Sequence, residues 1–105
     1  MSLANATLTT SDAAIFTCTN PGGALVSSII ITNYDASART VTLYARPFGE
    51  TAADENMILK TLSIAAGDTV VVPPEYKLEL GIADVISGLA SANTAIVVTI
   101  SYINH

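Results

Sequence analysis

Short segments in which every second residue is apolar constrain the fold of this chain more than any other feature. Near the end of the chain, in TAIVVTISYIN, large apolar residues take one parity and smaller or hydroxyl-bearing residues take the other. Successive side chains of a strand point to opposite sides of its sheet, so this pattern predicts strands with one buried and one more polar face. The apolar sides of three such segments comprise Val41, Leu43 and Ala45, then Leu78, Leu80 and Ile82, and finally Ile96, Val98, Ile100 and Tyr102.

Turn-forming residues stand between these segments. They occur as NPGG at 20–23, NYDAS at 33–37, AGD at 66–68 and PP at 73–74. About eight short strands result, so we expect an all-β fold, an antiparallel β-sandwich of the jelly-roll or Ig-like kind. With 105 residues the chain has room for one domain, 1–105, in which 1–13 form an extended N-terminal arm or an edge strand. We expect the acidic stretch 50–57 to be an exposed loop.

The stretch GALVSSIIITN at 23–33 departs from the alternation, because apolar residues occupy both parities. One parity carries Leu25, Ile29 and Ile31, and the other carries Ala24, Val26 and Ile30. A small sandwich hides one face of each sheet, and exposing the other would forgo roughly 25 cal/mol per Å² of apolar area. We therefore predict that another copy or another protein covers the second face. The alternative is that twisted sheets and capping loops cover it within one chain.

Eight residues are predicted to contact that partner. Five come from the apolar strands and three from the loop that begins at 46. They are Val26, Ile30, Val70, Val71, Val72, Arg46, Phe48 and Glu50.

The composition offers little for catalysis or for metal binding. The chain has one cysteine, Cys18, and one histidine, His105, which is too few for a zinc site or for an oriented nucleophile and base. We expect Cys18 to be a small buried residue, and Glu50, Asp54 and Glu55 to be solvated rather than to bind calcium. The sequence thus predicts no catalytic residue, no cofactor and no metal.

The charge pattern bears on the class of partner. The net charge is −5, and the four basic residues are scattered, so a nucleic acid is not expected to bind. A membrane span needs about 20 consecutive apolar residues, and the uncharged stretch 13–34 is broken at 20–23. No membrane-spanning helix and no membrane partner are therefore expected. The first 14 residues lack a basic segment followed by an apolar one, so no secretory signal is expected.

A carbohydrate-binding sandwich is a second candidate. Such proteins bind sugars on exposed aromatic side chains, and this chain has no Trp and only four Tyr and two Phe. Tyr34, beside a turn, and Phe48, in a loop, are the candidates for an exposed platform.

The order of strands and turns resembles that of small structural proteins of tailed bacteriophages. The first half, AIFTCTNPGGALVSSIIITNYDASARTVTLYA, has their strand, small-residue turn, apolar strand ending in Asn, Ser/Ala-rich turn and T-V-T-L strand. The second half, LSIAAGDTVVVPPEYKLELGIADVISGLASANTAIVVTISYIN, has their A-G-D turn, L-x-L segment and closing V-T-I-S-Y strand. The resemblance covers 14–103. It differs where that pattern has Gly beside the aspartate, because Ile82 and Ala83 separate Gly81 from Asp84 here.

The resemblance implies a virion protein without enzymatic activity. Its nearest counterpart is a capsid decoration, or cement, protein: a β-sandwich that forms a homo-oligomer, often a trimer, and binds the major capsid protein. Binding that occurs only on the assembled shell stabilises the shell by mass action. Such a protein assembles into the virion in the bacterial cytoplasm. A tail, neck or fibre-base component of the virion is the alternative.

Overall fold

The computed structural model describes residues 2–72 and 78–104. The predicted break at Pro73 and Pro74, the aromatic Tyr76 and the single histidine His105 lie outside the described residues. Within the described ranges the chain forms nine strands and one 3₁₀ turn, Asp54–Asn56. The strands are β1 Ser2–Thr7, β2 Ala13–Thr17, β3 Ala24–Asn33, β4 Arg39–Arg46, β5 Met57–Ile64, β6 Thr69–Val71, β7 Leu78–Leu80, β8 Val85–Ala90 and β9 Ile96–Asn104. The prediction of an all-β fold is confirmed.

The strands form two antiparallel sheets that pack together as a sandwich. Sheet A is five-stranded in the order β1-β9-β3-β6, and β7 also pairs with β3. Sheet B is four-stranded in the order β2-β8-β4-β5. β6 and β7 both pair with β3 on the side away from β9, next to different stretches of it. The N-terminal segment lies at the end of sheet A as β1, paired along its length with β9.

The core lies between the two sheets. Ile96, Val98 and Ile100 are all buried, as the alternation in β9 predicted. Phe16 of sheet B packs on Tyr102 of sheet A with 4.3 Å between ring centroids. Among the described residues, no helix is long and apolar enough to cross a membrane.

A β-bulge divides β3. Val26 pairs with Tyr102 and Ser28 pairs with Ser101, so Ser27 is an extra residue between the two pairs. The Ser27 hydroxyl lies 3.1 Å from the Ser101 carbonyl oxygen and 3.2 Å from the Ser101 hydroxyl, bonding it to the neighbouring strand. An extra residue shifts the alternation of side chains by one, because opposite residues share a face.

The bulge places most of the apolar residues of β3, from both parities, on one face, and Leu25 and Ile30 remain on the other face. Ala24 and Val26 point into the core before it, and Ile29, Ile31 and Asn33 point into the core after it. The interpretation that Leu25, Ile29 and Ile31 form one face and Ala24, Val26 and Ile30 the other is therefore wrong. The even-numbered residues before the bulge and the odd-numbered residues after it together make one buried face.

Candidate functional site

The outer face of sheet A, on the side away from the core, is a continuous candidate surface. Residues directly opposite one another in neighbouring strands share a face, so the strand register defines the outer face row by row. Its rows are Thr7, Val97, Thr32 and Thr69; Asn5, Thr99, Ile30 and Val71; Leu3, Ser101 and Ser28; and Ile103, Leu25 and Glu79.

The outer face is almost without charge. Glu79, near one corner, is the one charged residue in these rows. The other residues carry hydroxyl, amide or aliphatic side chains, and the Thr32 and Thr69 hydroxyls lie 3.3 Å apart. Leu3 is 68% exposed, Val71 55% and Ile103 39%. Large apolar side chains that remain exposed on a flat sheet are a common mark of a contact surface.

The outer side of sheet B is different, because charged side chains lie over it. Arg46 donates a hydrogen bond from Nε to the Ser87 hydroxyl at 3.0 Å and from Nη1 to the Glu50 carbonyl oxygen at 3.4 Å. Ser87 is fully buried. Lys60, in β5, is exposed. A partner would have to displace or desolvate these cations to cover sheet B.

The predicted contact residues divide into three groups. Ile30 and Val71 lie on the outer face. Val26 and Val72 are core residues, 1% and 6% exposed, and the Val72 N–H donates to the Ile29 carbonyl oxygen at 2.9 Å. Val70 is half-buried and packs against the core.

Val26 and Val72 are therefore corrected to core positions, and Val70 faces the core but is only half-buried. In β3 the bulge turns Val26 inward, and in the run 70–72 the middle residue alone points outward. Arg46, Phe48 and Glu50 lie at one end of the sandwich, where β4 leaves sheet B.

Asp84 organises this end of the sandwich, a role that the sequence did not predict. Its Oδ1 accepts a hydrogen bond from the Phe48 N–H at 2.9 Å, and its Oδ2 accepts one from the Gly81 N–H at 2.9 Å. One carboxylate thus holds the loop after β4 and the turn after β7. An aspartate three residues after a glycine in a turn was the available signal, since such carboxylates often bind nearby backbone N–H groups.

The turn after β7 is fixed from a second side. Ala83 has a φ of 71°, in the left-handed region, and its N–H donates to the Cys18 carbonyl oxygen at 2.7 Å. The Cys18 N–H in turn donates to the Asp84 carbonyl oxygen at 2.9 Å. Ile82, which was predicted to lie in a strand, instead lies in this turn and is 54% exposed.

Among the described residues, the two exposed aromatic side chains lie at opposite ends of the sandwich. Tyr34 follows the last residue of β3, whereas Phe48 is bonded to Asp84 near the start of β3, where Ala24 pairs with Leu80. A strand of 10 residues spans roughly 30 Å. Tyr34 and Phe48 therefore cannot form one sugar-binding platform.

An aliphatic cavity lies between the sheets, at the side formed by β5, β6 and β7. Its volume is about 240 Å³, and the described residues that line it are Ile29, Ile58, Leu59, Val72 and Leu78. Ile58, Leu59 and Leu78 are only half-buried, so this cavity reaches the surface. No polar side chain is among these lining residues.

The described residues form no cluster of metal ligands, and their one cysteine is buried. Within 2–72 and 78–104, no three His, Cys, Asp or Glu side chains come together as metal ligands would. Cys18 is 1% exposed, and its Sγ donates a long hydrogen bond of 3.7 Å to the Asn20 carbonyl oxygen. Cys18 is the small buried residue that the sequence predicted.

Comparison with models of known protein families, with curated proteins and with solved structures gives no match for this chain. The resemblance to phage structural proteins thus rests on the strand and turn residues of 14–103 alone. It supports a proposal when it is combined with the surfaces described above.

Proposed function

We propose that the protein is a non-enzymatic structural component of a tailed-phage virion, a capsid decoration protein that contacts the major capsid protein through the outer face of sheet A. The observation that carries this proposal is the near absence of charge from that face in a chain whose net charge is −5. The resemblance of 14–103 to phage structural proteins is the reason for assigning the protein to a virion.

Burial of an uncharged face costs little desolvation free energy. The cores of protein–protein interfaces are depleted of charged residues, because each ion taken out of water must find a partner. Threonine and serine hydroxyls can bond to a partner or to bridging waters, and Ile30, Val71 and Val97 supply the apolar area. The outer side of sheet B, with Arg46 and Lys60, lacks this property.

The size of the outer face indicates how it would be used. Four strand positions about 4.8 Å apart and a strand about 30 Å long give a footprint of roughly 570 Å². A specific interface of standard size buries roughly 800 Å² on each partner. One outer face therefore supports modest affinity, whereas several faces joined in a homo-oligomer, such as the trimer that the resemblance implies, would bind together with higher avidity.

Decoration of this kind stabilises a shell without catalysis. A protein that binds the assembled lattice, and not its free subunits, lowers the free energy of the lattice, by an amount that grows with the logarithm of its concentration relative to Kd. A tail, neck or fibre-base component would use the same face in the same way, and it remains the alternative location in the virion. The separation of Tyr34 from Phe48 does not favour a sugar-binding module.

A charge placed in the outer face tests the proposal. Virus particles stripped of this protein should rebind the wild type, and Val71→Glu should rebind at least tenfold more weakly, as measured by co-sedimentation. Ser63→Glu, which adds the same charge at an exposed position in sheet B, is the matched control and should rebind like the wild type. Equal rebinding of the two variants would exclude the outer face as the contact. A density map of the particle would distinguish shell from tail.

A further inference from the structure

We infer that β1 of one copy pairs antiparallel with β1 of a second copy, so that sheet A continues from one copy to the other across a two-fold axis. This inference rests on the oligomeric part of the proposed function, and it names a contact between copies that the proposed function leaves open. The free backbone groups of β1, the lack of charge around them and the irregularity of the other edge strands favour this partner.

β1 ends sheet A with one row of backbone groups that no described strand pairs with. The Leu8 N–H, just after β1, donates to the Ile96 carbonyl oxygen at 2.8 Å and continues the register of β1 on β9. In an antiparallel pair, alternate residues direct their N–H and C=O groups to the same neighbour. The even-numbered residues of β1 therefore bond to β9, whereas Leu3, Asn5 and Thr7 direct their N–H and C=O groups away from it.

The other described strands that end a sheet are less suited to pairing. β5 has two register shifts against β4, a left-handed Thr61 with a φ of 44° and the exposed Lys60. β2 has a register shift against β8, and β6 and β7 have three residues each. Natural proteins protect sheet edges with such bulges, charges and short strands. β1 has six uncharged residues in unbroken register, so its edge lacks this protection.

The side of the sandwich formed by β1 and β2 carries almost no charge. The two strands, one from each sheet, contact each other. Asp12, which is half-buried in the turn between them, is the one charged side chain in 2–34. A two-fold axis brings identical groups together, so exposed charges here would repel one another. In a chain with a net charge of −5, this side can meet its own copy without bringing exposed carboxylates together.

One register pairs the whole free row. With Asn5 opposite Asn5 of the second copy, Leu3 lies opposite Thr7 and Thr7 opposite Leu3, so each outward residue exchanges N–H and C=O bonds with another outward residue. A register shifted towards the C-terminus would use Thr9, whose carbonyl oxygen already accepts from the Ala90 N–H at 2.8 Å. The strand is thus complementary to itself, as a two-fold contact requires.

The pairing would join two outer faces into one surface. The side chains of Leu3, Asn5 and Thr7 belong to the outer face of sheet A, which therefore continues across the axis. Two faces of roughly 570 Å² give roughly 1,140 Å². This area exceeds the roughly 800 Å² that one partner buries in an interface of standard size. Pairing through β1 would therefore give the proposed contact with the capsid the area that one copy lacks.

Disulfide trapping of the purified full chain tests the pairing and its register. Opposite residues that exchange hydrogen bonds have Cα atoms about 5.5 Å apart, within the range that a disulfide spans. Asn5→Cys should therefore form a covalent dimer under mild oxidation, as measured by non-reducing gel electrophoresis. Thr7→Cys is the matched control and should stay monomeric, because the two copies of position 7 lie four residues apart, about 13 Å. The wild type, with its buried Cys18, gives the baseline.

A mixture of two variants tests the same register independently. Leu3→Cys and Thr7→Cys should each stay monomeric alone and should form a covalent dimer when they are mixed. Asn5→Pro, added to both, removes an N–H that points away from β9 and leaves the bonds between β1 and β9 in place. It should lower the yield of the mixed dimer about tenfold or more, since a carbonyl of the second copy loses its donor. Asn5→Ala, which keeps the N–H, is the matched control and should leave the yield unchanged.

Two results would overturn the inference: a dimer yield for Asn5→Cys no higher than that for Thr7→Cys, or a mixed dimer that forms equally well with Asn5→Pro. Cross-linking of Asn5→Cys on particles to another protein, and not to its own copy, would assign the β1 edge to that protein instead. Failure of the inference is distinguishable from failure of the proposed function, because cross-linking is measured on the free chain and rebinding of Val71→Glu is measured on particles.

Discussion

The Asn33 side chain joins the two sheets by donating a hydrogen bond from Nδ2 to the Ile64 carbonyl oxygen at 3.0 Å. Asn33 is the last residue of β3 in sheet A, and Ile64 is the last residue of β5 in sheet B. The same Nδ2 group donates to the Ser37 carbonyl oxygen at 3.0 Å, and Oδ1 accepts from the Asp35 N–H at 2.9 Å. A fully buried amide thus satisfies three backbone polar groups in two segments, the 33–37 turn and the end of β5.

Replacement of Asn33 by leucine should destabilise the fold by about 2–4 kcal/mol. The side chain keeps its size but loses both donors, and each carbonyl left without a partner costs about 1–3 kcal/mol. Urea unfolding followed by circular dichroism measures the loss. Asn5→Leu, the same change at an exposed position of β1, should alter stability by no more than about 0.5 kcal/mol. Equal effects of the two changes would contradict the structural role of Asn33.

Deletion of Ser27 should abolish the cooperative unfolding transition. Without the extra residue, Ala24 and Val26 would lose their inward orientation, because a shift of one residue turns every side chain to the other face. Ser27→Ala keeps the bulge and loses only the bonds to Ser101, which should cost about 1 kcal/mol. A deletion variant that unfolds cooperatively near the wild-type midpoint would show that the bulge does not set the alternation of β3.

The bulge also explains where the sequence was informative and where it was misleading. In β9 the alternation runs without interruption, so Ile96, Val98 and Ile100 were correctly placed in the core. In β3 the same rule failed, since two adjacent serines do not reveal that one of them has no pairing partner. The burial of Val26 follows from its pairing with distant residues of β7 and β9, which local sequence does not encode.

The organisation of the end loops could be predicted even less well. Phe48 and Asp84 are 36 residues apart and meet because β4 and β8 are neighbours in sheet B. The sequence identified Phe48 as a loop residue, but the hydrogen bond that anchors it depends on strand order. Strand order is set by the packing of the whole sandwich, and no single segment determines it.

Substitution of Gly88 by alanine should destabilise the protein by about 1–3 kcal/mol or more. A Cβ atom there would lie 2.6 Å from Leu43 Cδ2 and 2.8 Å from the Thr42 carbonyl oxygen, and the latter is backbone that cannot easily move. Overpacking of a buried strand has costs of this size. Gly81→Ala, whose Cβ would approach only Asp84 Oδ2 at 3.5 Å, is the control and should be close to neutral. The melting temperatures of the two variants, measured by thermal unfolding, test this difference in stability.

Stability should depend on pH through Asp35. The hydrogen bond from Arg39 Nε at 2.7 Å, together with the Ala36 N–H, lowers the pKa of the Asp35 carboxyl below its ordinary value of 3.8. A carboxyl whose pKa is lower in the folded chain adds stability above its unfolded pKa and loses this contribution as the pH falls through the folded pKa. The difference in urea midpoint between wild type and Asp35→Asn should therefore be larger at neutral pH than below about pH 3.

The Arg39 partner provides the control for that pH effect. Arg39→Gln removes the largest cause of the lowered pKa, so Asp35→Asn should lose most of its pH-dependent effect in the Arg39→Gln background. Since both side chains are about one-third exposed, the effect should also weaken at high salt. A pH-dependent difference that persists in the double variant would assign it to other groups.

Removal of one acceptor from Asp84 should loosen both turns that it holds. Asn has a single acceptor oxygen, so Asp84→Asn can keep either the Phe48 N–H or the Gly81 N–H, but not both. At least one of the two amides should exchange hydrogen faster by about tenfold or more, since loss of a hydrogen bond to a carboxylate is worth about 1.5–3 kcal/mol. Asp68→Asn, at an exposed position in the turn before β6, is the control and should leave both amides unchanged. Unchanged amide exchange in Asp84→Asn would show that the backbone alone holds Phe48 in place.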